Sequence, residues 1–187
     1  MLVRGPVACY CLAGQIRVHT APKVASDAVV KALHGLHGWS RERVDDAGPE
    51  YRFGVVRHPL DRLVSGWAYF CLGDRMKNQP ALREIGYFDR MPFEEFLRIA
   101  TASHWMNQHT RKQVDFIGSQ PFDRLVRIEN LTDAWEDLRK TFPNIRRIVR
   151  RNTSEHGHWK TYFSADMADY AERVYSEDLA LYHRAET

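Results

Sequence analysis

The sequence predicts an α/β fold, a mostly parallel central sheet flanked by helices. Three observations carry that expectation. Two β-rich runs, "GQIRVHT" at 14–20 and "YRFGVVR" at 51–57, are each followed by apolar residues at helical spacing. A proline stands just after each run, Pro22 and Pro59. The chain has 187 residues, 44% of them apolar and 27% charged, which suits a single domain over 1–187 with a full core.

The elements follow in order. The opening "MLVRGPVACYCLAGQ" has one arginine and a short apolar run, too weak a pattern for a signal peptide, and reads as a strand leading into the domain. A helix is expected from about Asp27 to Leu36, with Val29, Leu33 and Leu36 on one stripe. Pro59 sits in the first turn of the next helix, where its missing N–H costs nothing, and Leu60, Leu63, Val64, Trp67 and Cys71 follow at helical spacing. Residues 72–91 lack periodicity and read as a surface excursion. "MPFEEFLRIA" starts another helix, while "VDFIG" and "RLVRI" are short strand candidates. "ENLTDAWEDLRKTF" is an amphipathic helix with Leu131, Trp135, Leu138 and Phe142 on one face and Asn130 or Thr132 as its cap. "IRRIV" reads as a last strand. The chain ends in a helix from about Ser164 to His183, with Met167, Tyr170, Val174, Leu181 and Tyr182 inward.

Composition narrows the function classes. A net charge of +3 and a pI near 8.8 suit an anionic ligand but are too mild to argue for nucleic acid. The run Arg146, Arg147, Arg150 and Arg151 reads as a solvated surface. No apolar run reaches the length of a membrane span, and a cytoplasmic location is the default. Three cysteines, an odd number, argue against a disulfide framework. Cys9 and Cys11 with His34 and His37 lack the spacing of a zinc finger, so no metal is expected and the cysteines read as small buried residues. Trp39, Trp105 and Trp159 are expected in packing.

Two turns carry chemistry. At "APKVASD" a strand-to-helix joint aims backbone N–H groups and a helix N-terminus at one spot, and Lys23 and Ser26 add a cation and a hydroxyl. The stretch has no glycine, which excludes the Gly-rich nucleotide-triphosphatase loop. At "VVRHPLDRLVSGW" Arg57 ends a strand and Ser65 lies two turns into the next helix, a pair able to hold a phosphate. The plain structural alternatives are a proline turn with a solvated lysine, and Arg57 and Arg62 paired with Asp61 on a wet face.

Together these turns resemble the sulfotransferases that use 3′-phosphoadenosine-5′-phosphosulfate (PAPS), and among them the carbohydrate branch of chondroitin/HNK-1 type. The 5′-phosphosulfate loop of that family reads Pro-Lys-Val-Ala with a small or hydroxyl residue, here Pro22, Lys23, Val24, Ala25 and Ser26. Its 3′-phosphate site reads Arg-x-Pro-x-x-Arg-x-x-Ser, here Arg57, Pro59, Arg62 and Ser65. His104, Trp105 and Gln108 match a His-Trp-x-Pro-Gln segment in which Asn107 replaces the proline. "RIENLTDAWEDL" and "RRNTS", with Asn152 and Ser154, resemble later segments.

The resemblance implies a P-loop-like sulfotransferase fold and sulfuryl transfer from PAPS to an acceptor hydroxyl, on a carbohydrate by the His-Trp likeness. Lys23 and His104 would be catalytic, Lys23 on the leaving oxygen and His104 as the base, with Asp27 or Glu129 as the acidic runner-up. Pro22, Lys23, Val24, Ala25, Ser26 and Asp27 would surround the 5′-phosphate, Arg57 and Ser65 the 3′-phosphate, and Asn152 would complete the donor site. Asp27 departs from the family pattern, since a carboxylate beside phosphates repels them unless it serves as a helix cap. Asn107 leaves its loop less constrained than proline would. The alternative is a non-catalytic module of the same fold that binds a nucleotide or a sulfated glycan.

Overall fold

The computed structural model describes residues 9–12, 15–36, 39–42, 50–73, 79–118, 121–149 and 156–186, with the backbone alone at 9–12 and 40–42. The chain divides into two compact units. The first comprises Met1–Arg57, Gln113–Asn152 and Ala180–Thr187; the second comprises His58–Lys112 and Thr153–Leu179.

The first unit is an α/β layer structure. Its five strands are β1 (Cys9–Leu12), β2 (Ile16–His19), β3 (Trp39–Glu42), β4 (Tyr51–Val56) and β5 (Arg124–Arg127), in the order β3-β1-β2-β4-β5. β2, β4 and β5 are parallel, with Ile16 opposite Tyr51 and Phe53 opposite Arg124. β1 runs antiparallel to both β2 and β3, so an antiparallel edge joins the parallel core. The side-chain period of two then sorts the strands. Ile16, Val18, Phe53, Val55 and Val126 face one core with Val29 and Leu33 of α1 (Ser26–Leu33) and Leu131, Trp135 and Leu138 of α6 (Leu131–Thr141). Val56 belongs to another core with Ile117 of α5 (Val114–Ile117) and Leu181 of α8 (Ser176–Arg184). Apolar cover on both faces is what parallel strands require. At Gly54 a Cβ would come 2.7 Å from Leu125 and 2.8 Å from the Phe122 ring, so any side chain there would push both aside.

The second unit packs α2 (Pro59–Trp67), α3 (Pro80–Glu84), α4 (Phe93–Ala102) and α7 (Ala165–Val174) around Leu60, Leu63, Phe70, Phe96 and Tyr175. A π-helical segment, Ala68–Leu72, extends α2.

Several local expectations fail for physical reasons. The stretch "VDFIG" is a short helix, because Phe116 and Ile117 both donate to the Gln113 carbonyl and Gly118, at φ +82°, ends it. Short apolar runs do not reveal their period. "IRRIV" is not a strand. The Arg146 N–H donates to Ala32, while the Ile145 and Arg146 carbonyls accept from Arg139 and Trp135, so helices hold this backbone. Residues 79–91 are no mere excursion, since α3 forms there and Leu82, Tyr87 and Met91 are buried. The final helix breaks at Tyr175, whose buried hydroxyl donates to the Thr110 carbonyl at 2.7 Å. Tyr170 is exposed rather than inward, and so is Trp105. The first helix stops at Leu33, before Gly35 at φ +83°.

Candidate functional site

In the first unit β2 ends at His19 and α1 begins at Ser26, and the turn between them is strained. Lys23 and Ala25 have φ of +68° and +54°, a left-handed conformation that non-glycine residues adopt at a cost of about 1–3 kcal/mol each. The turn persists because its surroundings hold it. The Val24 side chain is fully buried, its N–H donates to the Ala21 carbonyl at 3.1 Å, and its carbonyl accepts from the Thr20 hydroxyl at 2.5 Å. Backbone that alternates into the left-handed region forms concavities of N–H groups suited to anions. Ala25 is the N-cap of α1 and brings no side-chain acceptor. Lys23 and Ser26 are half-buried on the same turn. Asp27 is exposed one residue inside the helix, so its expected capping role falls away, and its charge meets the positive helix end instead.

Arg57 directly follows β4, and its guanidinium donates from Nη1 to the Lys23 carbonyl at 3.1 Å. The two turns singled out from the sequence are therefore joined by a hydrogen bond within one unit. Arg57's own backbone is gripped by a side chain. Its N–H donates to Gln113 Oε1 at 3.0 Å, and its carbonyl accepts from Gln113 Nε2 at 2.8 Å.

The second unit holds two further expected residues. Ser65 lies buried in α2. His104 opens a 3-10 turn, His104–Met106, half-buried with its ring 5.3 Å from Trp105 and 6.0 Å from Tyr175. Arg62 is not on a wet face. It is buried and donates to the carbonyls of Arg111 at 2.7 Å and Gln108 at 3.2 Å. Asn107, expected to loosen its loop, binds it: its carbonyl accepts from the N–H groups of Thr110 and Arg111, and its Oδ1 from that of His109. Its φ of −120° is one that proline cannot reach. Asn152 and Ser154 lie outside the described residues.

A family model described as "Sulfotransferase family" matches residues 16–183, almost the whole chain. The chain belongs to the sulfotransferase family. No curated protein and no solved structure gives a match.

Family membership assigns this sulfotransferase to sulfuryl transfer, and its electrostatics fit an anionic donor. The described part of the Lys23 turn and its partners supplies N–H groups, a hydroxyl and two cations, set against one exposed carboxylate, Asp27. His19, which closes β2 before the turn, is buried and edge-on to Phe122. Burial first, then the charges of Arg17 and Arg52, lowers its pKa to about 4, so the imidazole is neutral at pH 7. Glu129 is exposed like Asp27, so water reaches both acidic candidates for the base. In the second unit Lys112 lowers the pKa of Glu177, and His104 adds to that effect. Among the described residues no cluster of three or more His, Cys, Asp or Glu could hold a metal, and no helix is long and apolar enough to cross a membrane. Sequence reasoning missed Gln113 and Thr20, whose roles depend on long-range or turn geometry that no residue pattern displays.

Proposed function

We propose that this sulfotransferase takes its sulfuryl group from PAPS and passes it to an acceptor hydroxyl on a carbohydrate. The 3.1 Å hydrogen bond from Arg57 to the Lys23 carbonyl carries this reading, because it ties the two anion-binding turns together. PAPS would supply an activated sulfuryl group whose bond to the bridging phosphate oxygen breaks as the acceptor oxygen bonds to sulfur. In that reaction Lys23 neutralises charge on the departing oxygen, as positioned cations do in phosphoryl transfer. Ser26 and the N–H groups of residues 25–27 bind the 5′-phosphate, that of Val24 being taken by the Ala21 carbonyl. Arg57 binds the 3′-phosphate, with Ser65 and Asn152 assigned to the donor on their sequence motifs. His104 takes the acceptor proton, the general-base role that histidine most often fills.

Transfer of labelled sulfate from PAPS to a panel of sugars, phenols and sterols tests the reading. The expected product is a sulfated sugar, lost in Lys23→Ala and strongly reduced in His104→Ala. A protein that binds the nucleotide but transfers to nothing would instead be a non-catalytic module of the same fold. Transfer to phenols alone would overturn the carbohydrate assignment.

A further inference from the structure

Gln113 has a role that neither the family match nor the motifs assign. Its side chain is fully buried, and both ends of its carboxamide bond one residue's backbone, the N–H and the carbonyl of Arg57. That is the pairing a neighbouring strand would offer. Arg57 lies one residue beyond the last β4–β5 pair, Val56 opposite Arg127, and beyond the last β2–β4 pair, His19 opposite Gly54. The Gln113 amide continues the ladder where the strands stop. A planar amide bonded at both ends fixes the orientation of the Arg57 peptide groups and so the direction in which its side chain leaves. From there the guanidinium reaches the Lys23 carbonyl.

We propose that Gln113 is a positioning residue of the donor site: through the Arg57 backbone it holds Arg57, and through Arg57 the left-handed Lys23, ready for phosphate. The inference rests on the reading of Arg57 as a 3′-phosphate ligand. Residue type matters at this position. Asparagine is one carbon too short, glutamate accepts but cannot donate, and leucine leaves both Arg57 backbone groups without this partner. The start of α5 does not depend on the side chain, since it is the Gln113 backbone carbonyl that accepts from Phe116 and Ile117.

The test is calorimetric titration of the full chain with 3′,5′-adenosine bisphosphate (PAP), beside steady-state kinetics. The proteins are wild type, Gln113→Leu, Gln113→Glu, Arg57→Ala and the double variant Arg57→Ala/Gln113→Leu. Gln113→Leu is expected to weaken PAP about ten-fold and to raise KM for PAPS with the acceptor KM unchanged. Gln113→Glu, which keeps one of the two bonds, falls between it and wild type. Because Gln113 acts through Arg57, the double variant binds PAP no more weakly than Arg57→Ala alone. A folded Gln113→Leu with wild-type affinity, or losses that multiply in the double variant, would overturn the proposal. If Gln113→Leu does not fold, Gln113→Glu decides, and wild-type affinity there overturns it. An unchanged affinity in Arg57→Ala would sink the 3′-phosphate reading and this inference with it. A weakened Arg57→Ala beside an unaffected Gln113→Leu sinks the inference alone.

Discussion

Lys23 and Arg57 are joined through a carbonyl and a guanidinium, yet they are assigned different work, and that difference is measurable. In the proposed reaction Lys23 would act on charge that develops only as the sulfuryl group departs. Lys23→Ala is therefore expected to lower kcat by about 10²–10³, the usual cost of losing one such donor, with a much smaller loss of PAP affinity. Equal losses in both would remove that role. As the proposed 3′-phosphate ligand, Arg57 would bind charge already present in the ground state, so Arg57→Ala is expected to weaken PAP by about 1.5–3 kcal/mol, the worth of a hydrogen bond to a charged group. His19 carries a pH effect of known sign. Its folded pKa, about 4, lies below the ordinary 6.5, so between those values the unfolded chain binds a proton that the folded chain refuses. The stabilisation is whole above pH 6.5 and is lost as the pH falls toward 4. The full difference is on the order of 3 kcal/mol. In urea unfolding at pH 7 and pH 4, His19→Gln is expected to lose correspondingly less stability than wild type; an identical loss would show that His19 titrates normally.

At the scale of elements, the Lys23 stretch is legible as a strand-to-helix turn and illegible as a strained one. Its proline, lysine and serine stand in the sequence, but nothing there says that Ala25 must be left-handed. Glycine adopts φ +54° without penalty, whereas a β-branched residue does so at more cost than alanine. Ala25→Gly is expected to leave stability unchanged or slightly raised, and Ala25→Val to lower it by at least about 1 kcal/mol, read from denaturant midpoints. A tolerated valine would contradict the left-handed turn. The long amphipathic stretches that became α2, α4 and α6 were read correctly because each shows several turns of one period. The four-residue α5 escapes sequence reading because so short an apolar run does not reveal its period, and the segment at 145–149 because its backbone partners lie in other elements. Trp135 and Arg139 capture the 145–146 carbonyls from another element, and no local pattern encodes that.

At the scale of the molecule, each of the two compact units is assembled from separate stretches of chain. Periodicity is local, so the sequence could order helices and strands but could not show that 113–152 returns to the sheet begun at 9–57. The same limit hid Gln113, which lies 56 residues from the backbone it binds. The two motifs proposed for the donor site stand out in the sequence because each follows a strand and opens a helix, where parallel sheets bind ligands. Calorimetric titration of the wild-type protein with PAP, run beside 5′-AMP, tests the proposed pair of phosphate sites. Tight binding of PAP with much weaker binding of 5′-AMP is the expected result, since only PAP carries the 3′-phosphate assigned to Arg57. Equal affinity for the two nucleotides, or no binding of PAP, would contradict the account.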